Sequence, residues 1–105
     1  MNAKEYFINQ AKEGKFVERE IEGQKVAIRQ ISYCEIQKLT SGVLGEKATL
    51  GSILGGICSL DKHEPIFTPK EVETLNIPNT TVQLFMKAFF EANSILGGVE
   101  EVVKN

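Results

Sequence analysis

Residues 16–31 read FVEREIEGQKVAIRQI, and this stretch decides the fold. Val17, Arg19 and Ile21 alternate with Glu18 and Glu20, Val26 and Ile28 alternate with Ala27 and Arg29, and Gly23 falls between the two runs. Period-two alternation puts successive side chains on opposite faces of a strand, and a glycine between two such runs supplies the turn. The stretch therefore predicts an antiparallel β-hairpin. Strands so rich in Glu, Lys and Arg imply one solvated face with cross-strand charge pairs, the Val and Ile of the other face resting on helices. A lone hairpin is marginal in water, so the rest of the chain has to cover it.

The flanking segments read as helices. Residues 2–13 form a short one of weak amphipathicity, with Phe7 and Ala11 one turn apart, Tyr6 and Ile8 beside them, and Gly14 as its stop. Ser32 followed by Glu35 can satisfy two orphan backbone donors at a helix start. That helix puts Tyr33, Ile36, Leu39, Val43 and Leu44 on one side and ends within residues 42–45. Over residues 46–60, Leu50, Ile53, Leu54 and Ile57 cluster opposite the small residues Ala48, Gly51, Ser52, Gly55 and Ser59. Each interior glycine costs a helix about 1 kcal/mol relative to alanine, so close backbone packing is expected there. Residues 61–67 read as a loop. Thr68, Pro69 and Glu71 then open a short helix that turns Val72 and Leu75 inward. After Pro78, Thr80 with Gln83 starts a last long helix running to about Leu96, ahead of Gly97 and Gly98. The fold class is α+β, mainly helical with about five helices and one N-terminal antiparallel β-hairpin. Residues 1–98 are expected to form one domain, with residues 99–105 a candidate flexible C-terminal tail.

Composition narrows the function classes. The 105 residues are 42% apolar and 25% charged, ordinary for one soluble domain. The net charge is −2, and no segment is strongly cationic: residues 1–31 hold six Lys or Arg against five Glu, and residues 60–105 four Lys against seven Asp or Glu. Nucleic acid and anionic membrane are therefore poor partners. No apolar run approaches the ~20 residues of a membrane span, and Lys4, Glu5 and Lys12 interrupt the N-terminal apolar cluster, so a cytoplasmic location is expected.

Reactive chemistry is not legible. His63, the only histidine, lies between Asp61 and Glu64 with no ligand or nucleophile at a defined spacing, and reads as an exposed loop residue. Cys34 and Cys58 sit in segments that read as helical beside Tyr33 and Ile57, with no cationic pocket, and read as buried inert thiols. Gly55-Gly56 and Gly97-Gly98 lack the strand-to-helix placement and the Lys of a phosphate loop. Glu18, Glu20 and Glu22 read as a solvated strand face. No enzyme activity, metal or cofactor is expected.

Binding is the stronger expectation. In the last helix Gln83, Lys87, Glu91 and Ser94 form one narrow polar stripe, and nearly everything else is apolar. A peripheral helix needs an apolar stripe of only about 100°, so this one is either central or has a second face for another chain. Phe85 and Phe89 mark the core side. Leu84, Ala88 and Ile95 cluster away from them as the candidate partner-binding face, and Phe90 lies at the opposite edge, able to join either.

In order of elements, the chain resembles the small tail assembly chaperones of long-tailed bacteriophages and prophages. The resemblance begins at Arg29-Gln30-Ile31-Ser32 with Glu35 and continues through Ile57-Cys58-Ser59-Leu60-Asp61 and Pro65-Ile66-Phe67-Thr68. It then takes in Val72-Glu73-Thr74-Leu75 and the helix ending Glu91-Ala92-Asn93-Ser94-Ile95, covering about residues 26–98. It implies a non-catalytic protein that binds the phage tape measure protein and promotes polymerisation of tail tube protein around it, and that is absent from the finished virion. It brings no catalytic residues, and in many such proteins a longer frameshifted product shares this portion. A second copy of the chain is a further candidate partner. The alternative reading is a small structural tail-completion or head-tail connector protein of the virion.

Overall fold

The computed structural model describes residues 2–95. Five helices and three strands follow in the order α1 (Ala3–Glu13), β1 (Phe16–Ile21), β2 (Gln24–Arg29), α2 (Tyr33–Ser41), α3 (Gly45–Gly55), β3 (Ile57–Cys58), α4 (Pro69–Thr74) and α5 (Asn79–Ala92). The class is α+β and mainly helical, with the hairpin near the N-terminus. β1 and β2 pair antiparallel, Val17 opposite Ile28 and Arg19 opposite Val26. The two-residue turn is Glu22-Gly23, with φ of 50° and 80°. Two successive positive φ values match the twist of the flanking strands, and Gly23 takes its value without a Cβ penalty.

The sheet has a third strand that periodicity does not predict. Residues 46–60 read as one helix, yet α3 stops at Gly55 and Ile57–Cys58 pairs antiparallel with β2, Ala27 opposite Cys58 and Ile28 opposite Ile57. The cause lies in packing: a Cβ on Gly56 would stand 2.5 Å from Cε1 of Phe89, so the backbone approaches that ring as only glycine allows. Elsewhere in the small stripe the approach is looser, with a Gly51 Cβ 3.7 Å from Pro69 and nothing within 4 Å of one at Gly55. Gly56→Ala is expected to cost about 1–3 kcal/mol, the range for overpacking a rigid core, read from the midpoint of urea unfolding.

One sheet face and three helices make the core. Ile21, Val26, Ile28 and Ile57 meet Leu39 of α2, Ile53 and Leu54 of α3, and Phe85, Phe89 and Ala92 of α5. The other face is only partly solvated. Residues 59–64 fold back over it, the ring of His63 stacks on Phe16 at 3.9 Å and 15°, and Ala27 and Cys58 on that face are buried. The open part carries Glu18, Glu20 and Lys25, with Lys25 Nζ 4.0 Å from Glu18.

Helix ends explain the remaining departures. Thr68 and Glu71 form the full capping box, each side chain accepting from the other's backbone N–H at 3.2 and 2.9 Å. Ser32 caps α2 through Glu35 N at 3.2 Å, but the Glu35 carboxylate turns to Arg29 at 3.8 Å, so one orphan donor is met where two were expected. The Thr80–Gln83 cap does not form, because α5 already begins at Asn79 behind Pro78. α2 ends at Ser41 with Gly42 left-handed, which releases Val43 and Leu44 from the inward stripe. Val43 and Tyr33 are exposed, Ile36 is half-buried and only Leu39 is buried. In α4, Val72 packs inward, whereas Leu75 lies past the last helical residue and is exposed. Residues 99–105, read as a tail, lie outside the described residues.

Candidate functional site

The helix expected to present a partner face divides differently from its wheel. Leu84 is 37% exposed, Ala88 and Phe90 are half-buried against the core, and Ile95 is 5% exposed and belongs to the core itself. The placement of Ile95 on an outward face is therefore corrected. The 100° count assumed a helix running to Leu96, but α5 ends at Ala92, Ser94 takes φ 54°, and the amide of Ile95 donates to Phe90 O at 2.9 Å. That turn swings Ile95 back under the sheet. Phe85 and Phe89 are buried, on the core side as expected.

Asn93 holds this end in place. Its Nδ2 donates to Arg29 O and Phe89 O, both at 3.1 Å, and its Oδ1 accepts from the Ile31 amide at 2.8 Å. Gln30 Nε2 donates to Ala92 O at 3.1 Å. The end of α5 is thereby pinned to the junction of β2 and α2.

Further uncovered apolar side chains lie on another helix. Tyr6, Phe7 and Ile8 of α1 are 50%, 67% and 43% exposed. Among the described side chains of this helix none is buried, and only Gln10 is half-covered. Gly14, at φ 64°, turns the chain from α1 into β1. A cleft of about 420 Å³ separates Gln10 and Ala11 from Arg29, Ile31 and Glu35, so the helix stands off the body. The radius of gyration, 14.6 Å, exceeds the ~13 Å of a compact chain this long. The wheel registers weak amphipathicity in residues 2–13, and a weak stripe on a short helix is the signal that it gains little by packing on its own body. A second apolar groove, of about 560 Å³, runs between α3 and α5, walled by Leu50, Val82 and Met86.

The reactive groups fall into two environments. Cys58 is buried and Cys34 exposed, so the expectation of two buried thiols is corrected for Cys34. Cys34 lies 200° around α2 from the inward Ile36, which puts it on the outer face. Burial pushes the Cys58 thiol above its ordinary range, with Arg29 pulling weakly the other way. The folded state thus keeps a proton that the unfolded chain releases, and this contribution to stability falls as pH rises through the alkaline thiol range. A disulfide-exchange reagent at mildly alkaline pH is expected to label Cys34 in the native protein and Cys58 only after denaturant is added, by mass spectrometry. Among the described residues no group of three or more His, Cys, Asp or Glu is placed to hold a metal ion. None of the described helices is long and apolar enough to cross a membrane.

No family model, curated protein or solved structure matches the chain.

Proposed function

We propose that this chain is a non-catalytic tail assembly chaperone of a phage or prophage, acting in the host cytoplasm on unassembled tail components, the tape measure protein first among them. The observation that carries the reading is α1, an 11-residue helix whose Tyr6, Phe7 and Ile8 are left uncovered by the rest of the described chain. A long helical client with exposed apolar stripes would bury those stripes against such a surface, which removes both from water. Leu84 and the groove between α3 and α5 offer a second apolar contact.

Co-expression with the tape measure protein of the same genome tests the reading. The client is expected to become soluble and to co-purify with this chain, and Phe7→Glu with Ile8→Glu is expected to abolish capture without unfolding the body, since neither side chain is buried. A client that stays insoluble and does not co-purify would overturn the proposal. Recovery of this chain from purified particles would favour the structural tail-protein alternative.

A further inference from the structure

The sheet ends on a strand with one free side. β1 is the outer strand in the order β1-β2-β3. The amide of Gln30 donates to Lys15 O at 2.8 Å, which fixes the phase of the β1–β2 ladder. Bonded pairs alternate along an antiparallel ladder, so Val17, Arg19 and Ile21 turn their backbone groups to β2, and Phe16, Glu18 and Glu20 turn theirs outward. Six extended residues give an edge of about 20 Å, with no proline in it. Natural edges carry charge to prevent unwanted pairing, and the charges here decide what is refused and what is accepted.

A second copy meets like charges in the two antiparallel registers of greatest overlap. In the antiparallel register centred on Glu18, that residue meets its own counterpart. In the register centred on Arg19, arginine meets arginine and Glu18 meets Glu20. Like charges directly opposite destabilise a strand pair. Glu18 and Glu20 share the open face, where Lys25 reaches Glu18 and Glu20 has no ion pair among the described residues. We propose that the outer edge of β1 takes up an extended segment of another protein as a fourth strand, one bearing Lys or Arg at alternate positions opposite Glu18 and Glu20. This surface is separate from α1 and does not depend on the chaperone reading. Arg19 guards the edge: its Nη1 donates to the outward carbonyl of Glu18 at 2.9 Å and has to swing away before a guest strand can donate there.

The test uses the intact protein and three labelled hexapeptides, alternating Lys-Val, alternating Glu-Val, and the Lys-Val peptide N-methylated at its lysine amides, followed by fluorescence anisotropy and by backbone amide NMR. The Lys-Val peptide is expected to bind at low salt and to shift the amides of Phe16, Glu18 and Glu20. Its affinity is expected to drop about tenfold in the Glu18→Gln, Glu20→Gln variant, and to rise about twofold in Arg19→Ala, which leaves the Glu18 carbonyl open. The Glu-Val peptide is expected not to bind. The N-methylated peptide has the same charge but lacks the lysine N–H groups that face β1, so equal binding by it would reduce the effect to bulk attraction and overturn the proposal. So would amide shifts that map elsewhere, unchanged affinity in the Gln variant, or concentration-dependent shifts of the β1 amides in the absence of peptide, which would mark a second copy as the occupant.

Discussion

Phe89→Ala is expected to destabilise the protein more than any other single truncation, by about 3–5 kcal/mol, read as the shift in urea midpoint at constant slope. The ring is fully buried, on the helix that meets both the hairpin and α3. Its loss removes the transfer free energy of a large aromatic and leaves a void that Ile28, Ile53 and Ile57, themselves fully buried, cannot collapse to fill. A domain of this size has about 5–15 kcal/mol of stability in all, so the loss is a large fraction of it. The ring is also what crowds Gly56. In a Phe89→Leu background, Gly56→Ala should cost less than in the parent, and that non-additivity would identify the contact as the cause. Equal cost in both backgrounds would place the Gly56 requirement in the backbone instead.

The second large effect is expected at Asn93. Replacing it with Ala removes the bonds to Arg29 O, Phe89 O and the Ile31 amide together. At about 1 kcal/mol net per bond, and with the partners part-buried, the loss should be about 2–3 kcal/mol by the same denaturation measurement. Asn93→Asp separates the contributions: it keeps an acceptor for Ile31 but turns a carboxylate toward two carbonyl oxygens, so it should be no more stable than the alanine variant. Were Asn93→Asp to behave like the parent, the two donor bonds would carry no stability.

What was legible in the sequence followed from local rules, and what was not depended on partners distant along the chain. The hairpin showed because period-two alternation on both sides of Gly23 has one reading. The Thr68–Glu71 cap showed because a threonine, a proline and a glutamate at fixed offsets satisfy backbone donors nearby. Phe85 and Phe89 showed as core because a polar stripe opposite them fixed their side. β3 was illegible: two residues carry no periodicity, and Ile57 and Cys58 are extended only because β2 lies alongside. Ile95 was misplaced for a related reason, since α5 is ended by a side chain bonded to residues 29 and 31 rather than by the glycine pair ahead. The wheel places Leu84 outward, and it is exposed, whereas α1 reads as a helix and not as an uncovered one. Whether a short, weakly amphipathic segment is roofed over is decided by the rest of the fold.

The pinning of α5 also governs how the protein is born. Residues 29–31 bond to residues 92 and 93, more than 60 positions later. A nascent chain leaving the ribosome therefore displays its hairpin and the oily side of α3 with nothing to seal them until α5 has emerged. Closure of so distant a pair is slow compared with helix formation. Native structure is thus gained only once α5 is free of the ribosome, in one late step that α5 completes.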